Sequence, residues 1–283
     1  MIDWSIPAPR GPRPILGTTH LPATAPLGRV LLGHGFKGYK DYGFIPWLSD
    51  RLCRAGCIVH RFNFSGSGMD HGHGSFDLEA FRADSWNRQV EDVFGLLSAI
   101  DAGDLPGGRG PVLLAGHSRG GVTSLLTAGR YPGEASSAAL VGVVTLASPS
   151  SCLSLDADDQ TLLLEQGSLE SPSSRTGQVL RVGRTFLQEQ LDDPEGHDLL
   201  AQVRRIRVPV LVVHGMADEA VPPGAARELC SALGDRGDLE LIPDANHVFN
   251  VPNPFPFEDG TPSPQLAKVG EILEQFARGV FSR

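Results

Sequence analysis

The chain has 283 residues, of which 41% are hydrophobic and 20% are charged. A chain of this length and composition buries a full hydrophobic core without help from metals or disulfides, and it is neither a disordered tail nor a coiled coil. The net charge of −9 has the wrong sign for a general attraction to phosphate backbones, and no apolar run approaches the ~18 residues that span a bilayer. Nucleic acid and membranes are therefore not expected as partners.

Residues 1–14 contain four prolines and lack the basic stretch followed by an apolar run that marks a secretory signal. The four cysteines are scattered along the chain, with no pair at CxxC spacing. This distribution is typical of reduced thiols rather than of a disulfide framework. We therefore expect a cytoplasmic protein, with a secreted protein that has lost its leader as the alternative.

Six short apolar runs bounded by glycine or proline predict strands. Several are apolar on consecutive residues, as expected for parallel strands that are covered on both faces. Between them, apolar residues recur at helical spacing from Phe81 to Ile100 and from Leu266 to Phe276. Strands that alternate with helices predict an α/β fold with a mostly parallel sheet. The predicted strands are 29–33, 57–64, 111–116, 141–147, 209–214 and 239–242.

Residues 148–207 interrupt this alternation. They show no strong strand pattern, but they contain a Ser- and Asp-rich stretch, a predicted helix at 178–191 and a shorter one at 199–204. A structureless loop of this length is improbable in a compact domain, and the strand pattern resumes afterwards. We therefore expect a single domain over 1–283, with 148–207 as a small helical lid or cap insertion. The apolar positions of the longer predicted helix are Val179, Val182, Phe186 and Leu187.

A candidate nucleophile lies between a predicted strand and an apolar helical run. Gly116-His117-Ser118-Arg119-Gly120 matches the pattern G-x-S-x-G in that setting. A strand–turn–helix context holds such a serine on a sharp turn, with its hydroxyl exposed in a cleft. The alternative is a plain glycine-rich turn with a solvent-facing serine. The motif predicts that Ser118 is a nucleophile.

A serine hydroxyl is a weak nucleophile until an imidazole removes its proton. Among nine histidines, His247 has the best position, after a late strand and before the last helix. Asp218 lies on the loop after the preceding strand, so Ser118, Asp218 and His247 occur in the order of one class of catalytic triads. We expect Asp218 to accept a hydrogen bond from His247 and to fix its tautomer. Glu219 and Asp244 are rival acids, which we expect to be solvated.

A second glycine-rich turn follows the first predicted strand, in Gly33-His34-Gly35-Phe36-Lys37-Gly38. Such a turn can aim backbone N–H groups at a developing alkoxide. The expected donors are the amides of Phe36 and of Arg119, the residue after the candidate nucleophile. The alternative is that these glycines only close a tight turn. His34 and His117 are expected to be structural.

Taken together, these motifs resemble the α/β-hydrolase superfamily over nearly the whole chain. Within it, the chain is similar to bacterial cinnamoyl and feruloyl esterases and to dienelactone-hydrolase-like proteins, although a dienelactone hydrolase proper uses a cysteine nucleophile. The resemblance implies an eight-stranded, mostly parallel sheet with helices on both faces, and serine-dependent ester hydrolysis without a cofactor. It rests on HGFKG at 34–38, FNFSGSG at 62–68, GHSRGG at 116–121, HGMAD at 214–218 and NH at 246–247.

The predicted function is the hydrolysis of small-molecule carboxylic esters through an acyl-enzyme on Ser118. An aminopeptidase or acyltransferase with the same triad, and a binding protein that kept the scaffold, remain the alternatives because one fold hosts many functions. Within the insertion, Leu163 and Phe186 are expected to contact the acyl or aryl group of the substrate.

One cluster, Asp70, His71 and His73, suggests a metal site. It has fewer ligands than the four of a closed site, and it lies among glycines in a flexible-looking loop. No Walker-type or dinucleotide-binding motif occurs in the sequence. We therefore expect neither a metal nor a cofactor.

Overall fold

The structure is a computed structural model, and it describes residues 1–11, 13–70, 72, 74–130, 140–255 and 260–282. Along these residues the strands are β1 (Ile2–Ile6), β2 (Ile15–His20), β3 (Arg29–Gly33), β4 (Ile58–Asn63), β5 (Val112–His117), β6 (Leu140–Leu146), β7 (Ser168–Pro172), β8 (Val179–Gly183), β9 (Val210–Gly215) and β10 (Gly237–Ile242). The helices are α1 (Ile45–Arg54), α2 (Leu78–Arg82), α3 (Trp86–Ala102), α4 (Arg119–Arg130), α5 (Ala157–Gln166), α6 (Thr185–Asp192), α7 (Pro194–His197), α8 (Leu199–Arg205), α9 (Gly224–Leu233) and α10 (Pro264–Phe281).

Eight of the described strands form one sheet, in the order β1-β2-β4-β3-β5-β6-β9-β10. From β4 to β10 all neighbours are parallel, whereas β1 and β2 are added antiparallel at one edge. The mostly parallel sheet is confirmed, and the six predicted strands are present with small shifts at their ends. The sequence patterns did not predict β1 and β2.

Helices cover both faces of this sheet. Leu114 of β5 belongs to a core that is closed by α3, α4, α8 and α9, whereas its neighbour Leu113 belongs to a second core closed by α1 and α10. Successive strand residues point to opposite faces, so a strand between two cores is apolar at every position. The faces of the sheet are thus filled, which leaves the carboxyl ends of the strands as the place for a binding site.

The first predicted helical pattern is divided between two helices. Phe81 lies on the short helix α2, and the remaining positions up to Ile100 lie on α3. Each helix has its own N-cap, because the Asp77 side chain accepts hydrogen bonds from the first turn of α2 and the Ser85 side chain accepts one from the first turn of α3. A single helix across this region is therefore wrong.

The segment 148–207 lies between β6 and β9 and is not purely helical. The predicted helix at 178–191 is wrong in its first half, since Val179 and Val182 lie on β8, which pairs antiparallel with β7. Helix α6 begins only at Thr185, after Gly183. A Cβ on that glycine would lie 2.2 Å from the carbonyl oxygen of Arg82, so the backbone passes directly against α2 there. Residues 148–207 thus combine a β-hairpin with short helices.

The turn end of this hairpin is attached to loops that follow β3 and β4. The Nζ atom of Lys37 donates a hydrogen bond to the carbonyl oxygen of Pro172 at 2.8 Å. The side-chain amide of Gln178 both accepts from the backbone N–H of Phe76, at 2.7 Å, and donates to its carbonyl oxygen, at 2.9 Å. The hairpin is therefore held beside the glycine-rich turn that follows β3.

All four cysteines lie in the described part of the chain and are free thiols. Burial raises the pKa of Cys57 to about 11 and that of Cys152 to about 12, so neither is a thiolate near neutral pH. Within the described ranges, the helices are all too short or too polar to cross a membrane.

Candidate active site

Ser118 lies on a sharp turn between β5 and α4. Its φ of 52° is in the left-handed region, where a non-glycine residue is strained and the strain is often part of a functional site. The turn is this tight because Gly116 and Gly120 lack side chains. A Cβ on Gly116 would lie 2.2 Å from the carbonyl carbon of Gly120, and a Cβ on Gly120 would lie 2.6 Å from the carbonyl oxygen of His34. The predicted strand–turn–helix context is present.

Asp218 and His247 meet on the loops that follow the parallel neighbours β9 and β10. The Nδ1 atom of His247 lies 2.9 Å from Oδ2 of Asp218. A carboxylate only accepts, so Nδ1 carries the proton and Nε2 is left as the acceptor. His247 and Ser118 line the same cavity, whereas the rival acids Glu219 and Asp244 are exposed. The structure thus pairs Asp218 with His247 and places His247 and Ser118 at one cavity.

Four N–H groups surround the Asp218 carboxylate. The backbone amides of Ala220 and Val221 donate to Oδ1, each at 2.9 Å, and the rings of His214 and His247 face Oδ2. Burial by itself would raise the pKa of Asp218, but the hydrogen bonds from His214, His247 and the Val221 amide hold it well below its usual range. Asp218 therefore stays charged at any physiological pH. Sequence reasoning missed His214, although it opens the HGMAD motif.

Two more histidines support the loops around the serine. The Nε2 atom of His117 donates to the carbonyl oxygen of His247 at 2.9 Å, and burial lowers the His117 pKa to about 3. The Nδ1 atom of His34 donates to the carbonyl oxygen of Gly35 at 2.8 Å, while its Nε2 accepts from the backbone N–H of Phe64 at 3.4 Å. Burial lowers the His34 pKa to about 4. Both rings are neutral and hold backbone in place.

The glycine-rich turn after β3 passes directly beside the serine. A Cβ on Gly35 would lie 3.1 Å from Cβ of Ser118, and the amide of Gly38 closes the turn by donating to the carbonyl oxygen of Gly35 at 3.0 Å. Phe36 and Arg119, the two expected oxyanion donors, line the same cavity as Ser118. The segments that carry both amides therefore border the candidate nucleophile.

The side chain of Arg119 has an environment that the motif did not predict. Its guanidinium carbon lies 4.8 Å from the ring centres of both Trp86 and Phe186, and 5.6 Å from that of Phe36. These separations are in the range of cation–π contacts. Nη2 lies 3.3 Å from Oδ2 of the buried Asp84. Arg119 thus lies where the Ser118 turn, the glycine-rich turn and residues 148–207 meet.

A cavity of about 960 Å³ opens above Ser118, and residues 148–207 supply one of its walls. Of the two expected substrate contacts, Phe186 lines the cavity. Leu163 is fully buried and is not among the lining residues, whereas Leu162, its neighbour on α5, lines the cavity and is 38% exposed. Adjacent residues of a helix point in directions about 100° apart, so only one of the two leucines faces the cavity. The same segment also contributes the polar side chains of Asp159, Gln166, Glu170 and Arg181, besides several serines, to the lining.

His71 and His73, two members of the cluster that suggested a metal site, lie outside the described residues. In the part of the chain that is described, no group of three or more His, Cys, Asp and Glu side chains is arranged to hold a metal ion.

Comparison with known proteins finds relatives in sequence and in structure. The profile of the family described as "Serine aminopeptidase, S33" matches residues 24–161. A monoacylglycerol lipase of Mycolicibacterium smegmatis is 27% identical over 257 residues, which cover 82% of this chain and 85% of that protein. The human monoglyceride lipase is 30% identical over 203 residues, 64% of this chain and 65% of its own length.

Among solved structures, Est1E from Butyrivibrio proteoclasticus, determined with bound ferulic acid, is similar with a TM-score of 0.71. Its sequence is 18% identical, and the similarity covers 96% of this chain and 97% of that one. The chain therefore has the α/β-hydrolase fold, as the motifs predict. Among proteins of this fold it is similar to esterases and lipases.

Proposed function

We propose that the protein hydrolyses carboxylic esters, with Ser118 as the nucleophile, His247 as the general base and Asp218 as the group that orients the base. The observation that carries this proposal is the 2.9 Å hydrogen bond from His247 to the buried Asp218, in a site where His247 and the strained Ser118 line one cavity. The similarity to a monoacylglycerol lipase and to an esterase that binds ferulic acid supports ester chemistry.

The reaction follows from the protonation states of the site. Ser118 Oγ attacks the ester carbonyl while His247 Nε2 takes its proton, and the charged Asp218 stabilises the resulting imidazolium. The amides of Phe36 and Arg119 hold the negative oxygen of the tetrahedral intermediate. Collapse of the intermediate expels the alcohol, which takes the proton from His247. Water, deprotonated by His247, then attacks the acyl-enzyme and releases the acid.

The insertion 148–207 acts in this proposal as a cap that shapes substrate choice. Leu162 and Phe186 line the cavity from the insertion side and would contact the acyl or aryl group. Each methylene buried there contributes about 0.8 kcal/mol to binding.

The free thiols support a cytoplasmic location, where cysteines stay reduced.

An aminopeptidase is the second candidate function, because the matching family profile carries that description. Such an enzyme needs an acidic group to bind a free α-amino group, and Asp159 and Glu170 both line the cavity. Glu170 already pairs with Arg181 at 3.1 Å, which leaves it less available for a substrate amine. Asp159 remains available, but the similarity to two lipases makes ester hydrolysis the better-supported reaction.

Turnover of p-nitrophenyl acetate and butyrate, set beside turnover of amino-acid p-nitroanilides, separates the candidates. We expect the parent protein to hydrolyse the esters and Ser118→Ala to lose this activity. A higher kcat/KM on the p-nitroanilides would make the protein an aminopeptidase. Binding of an ester without any hydrolysis would identify a binding protein on the same scaffold.

A further inference from the structure

A second imidazole contacts the carboxylate that orients His247. His214 lies at the end of β9, and its side chain is fully buried. Its Nε2 atom lies 3.2 Å from Oδ2 of Asp218 and 2.9 Å from the carbonyl oxygen of Val221. The same Oδ2 atom lies 2.9 Å from Nδ1 of His247. One carboxylate oxygen therefore faces two histidine rings.

The surroundings of His214 determine its protonation. Both neighbours of Nε2, the carbonyl oxygen of Val221 and the carboxylate of Asp218, can only accept, so Nε2 carries a proton. Its Nδ1 atom is buried and has no hydrogen-bond partner among the described residues. A proton on Nδ1 would be a buried, unpaired N–H, which is costly, so the ring is neutral. His214 thus donates to the Val221 carbonyl oxygen at 2.9 Å, and the same N–H group lies 3.2 Å from Oδ2 of Asp218.

We propose that His214 is a positioning residue that acts through Asp218 to limit the basicity of His247, an inference that rests on the proposed function. A donor on Oδ2 takes up part of the negative charge that would otherwise stabilise the His247 imidazolium. It also holds the carboxylate in the orientation that His247 needs.

Among the described residues, the titratable side chains that face Asp218 or His247 are those of His214 and His117. His117 faces His247 from the end of β5, and burial keeps its pKa at about 3. It is therefore neutral at every pH well above 3. His117 does not cause the fall of kcat/KM at acid pH, which is called the acid limb below. That limb reports the titration of His247 in the free enzyme.

Two substitutions in the full chain test the role of His214. His214→Met removes the donor with a side chain of similar length, and His214→Gln keeps an N–H near the position of Nε2. We expect the acid limb of kcat/KM for p-nitrophenyl butyrate to move up by about half a pH unit in His214→Met. This shift corresponds to about 0.7 kcal/mol, and it lowers kcat/KM about threefold at a pH well below the limb. His214→Gln should keep the limb of the parent.

A limb that stays in place in His214→Met, or that moves equally in both variants, would overturn the inference. A merely structural role would lower activity at every pH and leave the limb unmoved. If either variant does not fold, ¹⁵N NMR of the histidine-labelled parent gives the answer. A neutral ring protonated at Nε2 supports the inference, and an Nδ1–H tautomer or a charged ring overturns it.

The failure of this inference is distinguishable from a failure of the proposed function. Ester turnover that requires Ser118, combined with an unmoved limb, would reject only the role of His214. Ester turnover that persists in Ser118→Ala would reject the proposed function, and the inference would fall with it.

Discussion

Replacing Asp218 by asparagine tests how the acid controls the tautomer of His247. The carboxylate is surrounded only by donors, with two backbone amides at Oδ1 and the rings of His214 and His247 at Oδ2. Asparagine supplies one oxygen and one NH₂ group, so its NH₂ must face one of these two pairs. Neither orientation reproduces the hydrogen bonds of the carboxylate.

An NH₂ group that faces the amides places donors against donors, so the oxygen is expected to stay on the amide side. The NH₂ group then faces Nδ1 of His247, which must become an acceptor, and the proton moves to Nε2. That nitrogen can no longer accept the proton of Ser118. The wrong tautomer in a comparable triad lowers kcat by about 10⁴, which corresponds to about 5.4 kcal/mol. We expect a loss of this order in Asp218→Asn.

The assay is kcat for p-nitrophenyl butyrate, with circular dichroism to show that each variant is folded. Asp244→Asn is the matched control, because Asp244 is the exposed rival acid on the loop that carries His247. We expect its kcat to stay within about threefold of the parent, as for an exposed substitution that removes no catalytic contact. A folded Asp218→Asn variant with a kcat near that of the parent, or a more severe loss in Asp244→Asn, would refute the tautomer argument.

Five further substitutions test the cap, the tight turn, a helix glycine and a buried acid. Phe186→Ala should change the ranking of esters of different acyl chains by kcat/KM. Leu163→Ala should keep this ranking and lower the free energy of unfolding by about 2–5 kcal/mol. If neither variant changes the ranking, the insertion has only a structural role. Gly120→Ala should unfold or inactivate the protein, because its Cβ would lie 2.6 Å from a backbone oxygen. Gly279→Ala, whose Cβ meets nothing within 4 Å in α10, should stabilise it by about 0.5–1 kcal/mol in urea unfolding. Burial raises the pKa of Asp92 to about 7 in the folded protein. The unfolded chain releases the same proton near pH ~4. The free energy of unfolding therefore falls as the pH rises from the lower to the higher of these two pKa values. Asp92→Asn should flatten this slope, and an equal slope in parent and variant would contradict the assignment.

The parallel part of the sheet could be predicted because strands that are buried on both faces appear in the sequence as continuous apolar runs. Strand β1 has no such run, since its residues are exposed or half-buried at the edge of the sheet. The hairpin was missed for a different reason. Val179 and Val182 are three residues apart, a spacing that also fits a helix, and only the pairing of β8 with β7 decides between the two.

The candidate triad was accessible from sequence because each member follows a strand, and the carboxyl ends of parallel strands meet at one edge of the sheet. The directions of individual side chains were not accessible. The choice of Leu163 rather than Leu162 as a cavity residue depends on how α5 is rotated against the main domain. The contacts of Arg119 with three rings likewise depend on elements far apart in the chain, and no local motif encodes them.

The most direct test of the proposed mechanism is to locate the covalent bond that a fluorophosphonate probe forms with the protein. Such a probe reacts with an activated serine, and peptide mass spectrometry identifies the residue that carries it. We predict that the label lies on Ser118, that ester turnover falls in proportion to labelling, and that Ser118→Ala is neither labelled nor active. A label on another residue, or equal labelling of parent and Ser118→Ala, would contradict the assignment of Ser118 as the nucleophile.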